Sequence, residues 1–386
     1  MLKRAVEEEI GKYLAGDDRK ILFIWGPRRS GKTTVLNKIA ASLGERVFNF
    51  DFVSDQELFV PDEEKLGKLA REHKVILIDE VQNYPAGTVA LKVLHDKYAV
   101  KIVATGSSEL RRKSAGNFDS LAGRFVERHC LPLTPFEIVA NSGVKEYELE
   151  ALYRRIWQET TVFGEYPEVY NSTGRDEDKI EMLQNIVETY VLKDVVNIYE
   201  LKDVKLAKDI LTKIALQLGS EVSVREIASS LQTTPATVGN YIEIFVKNYV
   251  LVSLPAFKTN LRRAVSENRK LYFYDLGIRN ALVRDFREFK LRPDAGGVWE
   301  NFVVSEAEKA RRNNNLKLSM YFYREYGGAE VDIVFEDYKK NYKCWEIKSG
   351  VGGGKRVFPL PHDLETVNPG NYFERLAVMS RRAGGN

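Results

Sequence analysis

The stretch Gly26-Pro27-Arg28-Arg29-Ser30-Gly31-Lys32-Thr33 decides the reading of this chain. It has the Walker A pattern of two glycines five apart followed by lysine and a hydroxyl residue. An apolar run, Lys20–Trp25, leads into it, and a helix-forming stretch, Thr33–Leu43, leads out. A loop in that setting turns its backbone amides toward a β-phosphate. Lys32 then reaches the β and γ oxygens, and Thr33 offers its hydroxyl to Mg²⁺ while the helix N-terminus adds positive potential. The expected nucleotide contacts are Gly26, Pro27, Arg28, Arg29, Ser30, Gly31, Lys32, Thr33 and Thr34, and the expected ligands are ATP and Mg²⁺. A glycine-rich turn matching by accident would lack this strand-then-helix context.

Working outward, Val75-Ile76-Leu77-Ile78-Asp79-Glu80 is a buried apolar run that ends in two carboxylates. Asp79, at the strand's end, is the residue to face Mg²⁺ through water, and Glu80 the one to orient and polarise an attacking water. Alone, the pair also suits a helix N-cap after a core strand. A further run, Val100–Thr105, leads into Gly106-Ser107-Ser108, where Ser107 is the candidate for holding the water or sensing the γ-phosphate. Beyond it, Leu121-Ala122-Gly123-Arg124 places an arginine where it could act on a neighbouring chain's nucleotide. Arg111, Arg112 and Arg128 compete for that role, and a surface ion pair is the plainer use of Arg124.

The runs Lys20–Trp25, Val47–Phe52, Val75–Ile78 and Val100–Thr105 alternate with amphipathic stretches such as Glu63–Glu72. That alternation predicts an α/β fold, a parallel-sheet core with helices on both faces. This core spans residues 1–146. A helical segment, the expected lid, occupies 147–218, interrupted by a turn at Phe163-Gly164-Glu165-Tyr166-Pro167-Glu168. Residues 219–294 read as a winged helix, with helices at Val222–Leu231 and Thr234–Val246 and strands at Tyr249–Ala256 and Lys270–Tyr274. A last α/β segment, 295–386, opens with a helix at Val298–Arg311 and continues with strands at Leu318–Glu325, Ala329–Phe335 and Tyr342–Ile347. Phe373–Ser380 is expected to return as a strand.

The two Walker strands, Ala104-Thr105-Gly106-Ser107-Ser108, Leu121–Arg124 and Leu131-Pro132-Leu133-Thr134-Pro135-Phe136-Glu137 together resemble the AAA+-type ATPases of archaea and bacteria that carry a winged helix and a restriction-endonuclease-like C-terminal domain. The resemblance continues through Phe163–Glu168 and Arg269–Gly277, and so covers nearly the whole chain. It implies an AAA+-like core followed by a helical lid. The lid offers no convincing arginine of the sensor type, so the full AAA+ machinery is not implied.

In the winged helix the second helix carries Asn240, Tyr241 and, just after it, Lys247, but also Glu243. That is a thin basic face for a major groove. Arg262 and Arg263 lie between the wing strands, suited to phosphates rather than to bases. A winged helix used for packing or protein contact fits equally well.

In the last segment, Asp332 and the Glu346-Ile347-Lys348 triplet sit on adjacent apolar runs. Strand alternation puts Glu346 and Lys348 on one face, and a hairpin would bring Asp332 to them. Two carboxylates, Asp332 and Glu346, can hold Mg²⁺ while a lysine lowers the pKa of an attacking water. The set resembles the centre of restriction-endonuclease-like nucleases, with Glu300 as the extra carboxylate on the preceding helix. An inactive descendant or a solvated charged face is the rival reading.

Composition sets the outer bounds. The 386 residues are 44% apolar with a formal net charge of +3, so no global field draws the chain to nucleic acid or membranes. Two distant cysteines, Cys130 and Cys344, make no metal spacing and suit a reducing cytoplasm. No signal peptide or membrane span is expected. The function expected is an ATP-driven machine acting on or with DNA. The rival is a nucleotide-regulated switch or scaffold that binds protein partners or itself.

Overall fold

A computed structural model describes residues 2–98, 100–107, 121–194, 203–258, 269–325, 328–350 and 357–381. The chain divides into two units, Met1–Leu131 and Pro132–Asn386.

In the first unit, the apolar runs Ile21–Trp25 (β1) and Val75–Asp79 (β3) are buried at every position, as strands covered on both faces must be. With Val47–Asn49 (β2), Lys101–Gly106 (β4) and Phe125–His129 (β5) they form a five-stranded parallel sheet of order β2-β3-β4-β1-β5. Helices Ala5–Ala15 (α1) and Lys32–Leu43 (α2) lay Val6, Ile10, Val35 and Leu36 on Leu22, Ile24, Leu77 and Val103. Helix Glu63–Glu72 (α3) is capped by Asp62, which accepts from the Lys65 amide, satisfying one orphan donor of its first turn.

The α/β core with a parallel sheet is as expected, with two differences in detail. β2 stops at Asn49 rather than Phe52, because the Asn49 side chain accepts from the Asp51 amide and its carbonyl from the Phe52 amide, a local turn that competes with the ladder. β5 is an additional edge strand. All five of its residues are half-buried, and Glu127, Arg128 and His129 hide it from any search for apolar runs.

The second unit begins with helices Pro135–Ser142 (α4), Leu149–Phe163 (α5) and Asp176–Ile186 (α6), followed by Val204–Ala215 (α7). Thr134 and Glu137 close a capping box at the start of α4. A three-stranded antiparallel sheet follows, of order β6-β8-β7, made of Glu221–Val222 (β6), Leu251–Pro255 (β7) and Arg269–Phe273 (β8). Helices Val224–Ser230 (α8) and Pro235–Lys247 (α9) lie between β6 and β7 in the chain. After helix Leu276–Val283 (α10), the long helix Ala295–Asn313 (α11) precedes a four-stranded sheet of order β12-β11-β10-β9. Leu318–Arg324 (β9), Glu330–Asp337 (β10) and Tyr342–Ile347 (β11) are antiparallel neighbours, and His362–Val367 (β12) runs parallel to β11. Phe373–Ser380 is not a strand. It lies in helix Tyr372–Arg381 (α12), where Tyr372, Leu376 and Met379 are buried at a spacing of four and three, the period of a helix face. The strand that completes the sheet is β12, whose polar sequence carries no apolar run.

The turn at Phe163–Glu168 is fixed as its sequence suggests. Gly164 has φ +73°, and Asp275 accepts from both the Glu165 amide at 2.6 Å and the Ile278 amide at 3.0 Å, so one carboxylate caps α10 and holds the turn. A Cβ on Gly277 would stand 2.3 Å from the Phe163 carbonyl oxygen, which excludes any other residue there. Beside the turn, fully buried Lys309 pairs with Glu165 and Glu306 and donates to the Leu133 carbonyl at 2.9 Å. Burial and the neighbouring Glu306 push the Glu165 carboxyl well above its ordinary range, and the two carboxyls raise the Lys309 ammonium above its own. Among the described residues, no helix is long and apolar enough to cross a membrane.

Candidate functional site

β1 ends at Trp25 between β4 and β5, and the loop that leaves it is pinned on both sides. The Gly26 amide donates to Gly106 at 3.3 Å and the Cys130 amide to Trp25 at 2.8 Å. A Cβ on Gly26 would stand 1.9 Å from the Cys130 carbonyl oxygen, so only glycine fits. Arg29 at φ 62° and Gly31 at φ 96° curl the loop into the N-terminus of α2. Ser30 turns inward, its hydroxyl donating to the Pro27 carbonyl at 2.8 Å.

Lys32 is buried, and its ammonium donates to the Gly26 carbonyl at 3.0 Å and the Pro27 carbonyl at 2.7 Å. Burial pulls it below its ordinary pKa, against the opposing fields of Glu80, Cys130 and Asp79. A buried cation held by two neutral carbonyls is undercompensated, and phosphate oxygens supply the charge it lacks. Thr33 and Thr34 are exposed on the first turn of α2, and Arg28 is half-buried. The residues thus fit a bound triphosphate.

The neighbouring strand ends supply the polar groups. Asp79 is buried at the end of β3 and accepts from the Thr105 hydroxyl of β4. Glu80 follows at φ 52°, in the left-handed region that a glutamate rarely adopts. Such strain gathers where the surrounding structure holds a side chain for a purpose. Gln82 is the residue the sequence did not single out. Its Nε2 donates to the Glu80 carboxylate and, at 3.0 Å, to the Ser107 hydroxyl, while its Oε1 accepts from the Ser107 amide at 3.3 Å. Glu80, Gln82 and Ser107 therefore form one network across the ends of β3 and β4, beside the β1 loop.

Arg4 was also missed. From the N-terminus of α1 it donates to the Ser30 carbonyl and, at 2.6 Å, to the Leu131 carbonyl, holding the loop from behind. No motif marks it, because its partners lie 26 and 127 residues away.

Arg124 lies at the other end of β1, where its carbonyl accepts from the Ile21 amide. Its guanidinium pairs with Asp96 at 2.8 and 3.1 Å. Within one chain it is not brought to the loop. Arg128 pairs with Glu9, and Arg111 and Arg112 lie outside the described residues.

A second constellation stands on the four-stranded sheet. Asp332 lies one residue before Ile333 and Glu346 one residue after Trp345, the cross-strand pair that joins β10 to β11. Asp332 accepts from the Ile347 amide at 2.6 Å, and Lys348 pairs with Glu346 at 2.7 Å. Burial, then the charge of Glu300, pushes the Asp332 carboxyl up to about 7. Carboxylate oxygens of Glu300, Glu330 and Asp332 lie within 4.8 Å of one another, an arrangement able to hold a metal ion. Glu330 escaped notice in the sequence although strand parity puts it on the face of Asp332. The residues fit a divalent cation.

On α9, Tyr241 does not face a groove. It is buried, with its hydroxyl donating to the Asp203 carbonyl at 3.2 Å, because the helix uses that face to pack. Lys247 is half-buried at the helix end. Arg262 and Arg263 lie outside the described residues.

A family model described as AAA domain matches residues 18–139. Residues 154–288 and 295–359 match two domains of unknown function, DUF8612 and DUF4143. The AAA-domain match falls on the parallel sheet and its β1–α2 loop, the arrangement of a P-loop core. The uncharacterized protein Rv2008c of Mycobacterium tuberculosis is 24% identical over 323 residues, 82% of this chain and 67% of that protein. The uncharacterized protein MJ1637 of Methanocaldococcus jannaschii is 23% identical over 314 residues, 72% of this chain and 65% of that protein. Among solved structures, Aeropyrum pernix ORC1 in complex with DNA aligns at a TM-score of 0.31 and 17% identity, covering 74% of this chain and 93% of ORC1. The Thermotoga maritima RuvB Holliday junction branch migration motor aligns at 0.32 and 15%, covering 66% and 90%. Likenesses this distant carry nothing about function.

Proposed function

We propose that this chain binds ATP with Mg²⁺ at the β1–α2 loop, hydrolyses it there, and uses the nucleotide state to govern work on DNA by its second unit. The observation that carries hydrolysis is the junction of a buried, undercompensated Lys32 with the Asp79, Glu80, Gln82 and Ser107 cluster at adjoining strand ends. Gly26–Thr34 hold the phosphates, and Thr33 with Asp79 hold Mg²⁺. Bound Mg²⁺ neutralises charge on the β- and γ-oxygens. Glu80 accepts the proton of an attacking water, and Gln82 and Ser107 keep Glu80 aimed. Arg124 is offered as a finger acting on a neighbouring chain, a role that requires self-association and release from Asp96.

The DNA reading rests on the second unit. The order β6, α8, α9, β7, β8 supports the winged-helix reading, in which Lys247 with Arg262 and Arg263 supplies cations suited to phosphates. The deciding measurement is the steady-state ATPase rate with and without duplex and single-stranded DNA. Stimulation that weakens as salt rises is expected, since phosphate contacts release counterions. A rate indifferent to DNA overturns the DNA reading in favour of a nucleotide-regulated switch acting on protein partners.

The juxtaposition of Asp332, Glu346 and Lys348 favours a second activity, metal-dependent phosphodiester cleavage. Asp332 and Glu346, with Glu300, hold Mg²⁺, and Lys348 lowers the pKa of the attacking water. Plasmid nicking in Mg²⁺ or Mn²⁺ is expected, and Asp332→Ala is expected to remove it. Nicking that persists in that variant places the chemistry elsewhere.

A further inference from the structure

Lys270 is the most deeply buried basic residue facing this carboxylate group, and the cleavage reading gives it no task. It lies on β8, in the three-stranded sheet rather than the nuclease-like one. Its side chain is 2% exposed. The ammonium pairs with Glu300 of α11 at 2.9 Å and with Glu330 of β10, two of the three residues whose oxygens converge to within 4.8 Å.

Its surroundings complete the enclosure. Two residues along β8, the Tyr272 hydroxyl donates to the same Glu300 oxygen at 2.6 Å. The other Glu300 oxygen would lie 2.7 Å from a Cβ on Gly219, a glycine at φ +77°. Arg324 of β9 pairs with the far oxygen of Glu330 at 3.1 Å. Glu346, whose Oε1 pairs with Lys348 at 2.7 Å, is 9% exposed, and its buried Oε2 has no hydrogen-bond partner among the described residues. Its charge acts on Asp332. Lys270 thus meets Glu300 and Glu330, Arg324 also meets Glu330 and Lys348 meets Glu346, so the buried group is balanced by side-chain cations and Lys270 is the one that reaches two of the three converging acids. Carboxylates gathered away from water demand a cation.

We infer that Glu300, Glu330 and Asp332 form a divalent-cation site whose cation position is filled by the tethered ammonium of Lys270, so that metal loads only when that ammonium is displaced. This rests on the reading of Asp332 as a metal ligand and takes Glu330 in place of Glu346 as the third carboxylate. With Lys270 in place the charge is met internally and the site is shut. With Lys270 drawn out, three hard oxygen donors stand ready for Mg²⁺ or Mn²⁺.

The test is Mn²⁺ binding by electron paramagnetic resonance to nucleotide-free full-length protein, wild type against Lys270→Ala. Removing the tethered competitor is expected to tighten Mn²⁺ binding by roughly tenfold or more, the usual scale of such coupling. Adding Asp332→Asn to the variant is expected to abolish the gain. Equal Mn²⁺ affinity in wild type and Lys270→Ala overturns the inference, as does a gain that survives Asp332→Asn. If Lys270→Ala is unfolded without metal, recovery of its thermal transition on adding Mn²⁺ upholds the inference and failure to recover overturns it. Nicking assayed on the same samples separates the two ideas. Tightened Mn²⁺ without nicking upholds the lysine's occupancy while the cleavage reading fails. Nicking with the same Mn²⁺ dependence in both proteins overturns the occupancy while cleavage stands.

Discussion

Replacing Lys32 by alanine is expected to bring ATP turnover to background, a loss of at least about a thousandfold. The ammonium is the one cation that the loop buries against the phosphate position, and its partners in the free protein are neutral carbonyls of Gly26 and Pro27. Losing it leaves developing charge on the transferred phosphoryl group without its fixed counter-charge. The fold is expected to survive, because two carbonyls left without a donor cost only about 1–3 kcal/mol each. The measurement is steady-state phosphate release, with unfolding followed in parallel. Turnover that persists in a folded Lys32→Ala protein moves the nucleotide site away from this loop.

Glu80→Gln separates binding from chemistry. Glutamine keeps the shape and can still accept from the Gln82 amide that now donates to the Glu80 carboxylate, so nucleotide affinity is expected to stay within about twofold, as for a change that touches only the reacting water. It cannot take a proton, and turnover is expected to fall about 10²–10⁴-fold. The check is fluorescent-nucleotide binding beside single-turnover hydrolysis. Equal losses in the two assays make Glu80 a residue of the binding site and remove its role as base.

The parallel-sheet core was legible because β1 is apolar throughout and β3 and β4 carry unbroken apolar runs, Val75–Ile78 and Ile102–Ala104, a pattern that burial on both faces writes directly into sequence. β5 and β12 were not, because edge and half-buried strands tolerate charge at most positions. The same division runs through the candidate sites. Lys32, Asp79 and Glu80 were candidates because loop chemistry fixes their spacing, and Glu346 with Lys348 because strand parity fixes their face, with Asp332 joined to them through a hairpin. Gln82 sits only two residues from Glu80, yet its partner Ser107 is 25 residues off. Arg4 and Lys270 act across longer separations still. A motif records neighbours along the chain, and these residues work through neighbours in space. Tyr241 erred the other way, since an amphipathic helix names the residues it has and not the face it buries.

The buried trio of Lys309, Glu165 and Glu306 constrains how this sequence can drift. Removing the lysine strands two carboxyls, and removing either acid changes the field on the other two, at a cost of about 3–5 kcal/mol when one partner of a buried pair is lost. Much of a typical domain's stability is gone in such a step. Single substitutions here lead into a valley, whereas joint replacement by apolar residues of similar volume can cross it level. Lineages descended from a common ancestor should therefore hold these three positions as one heritable character, kept whole or exchanged whole.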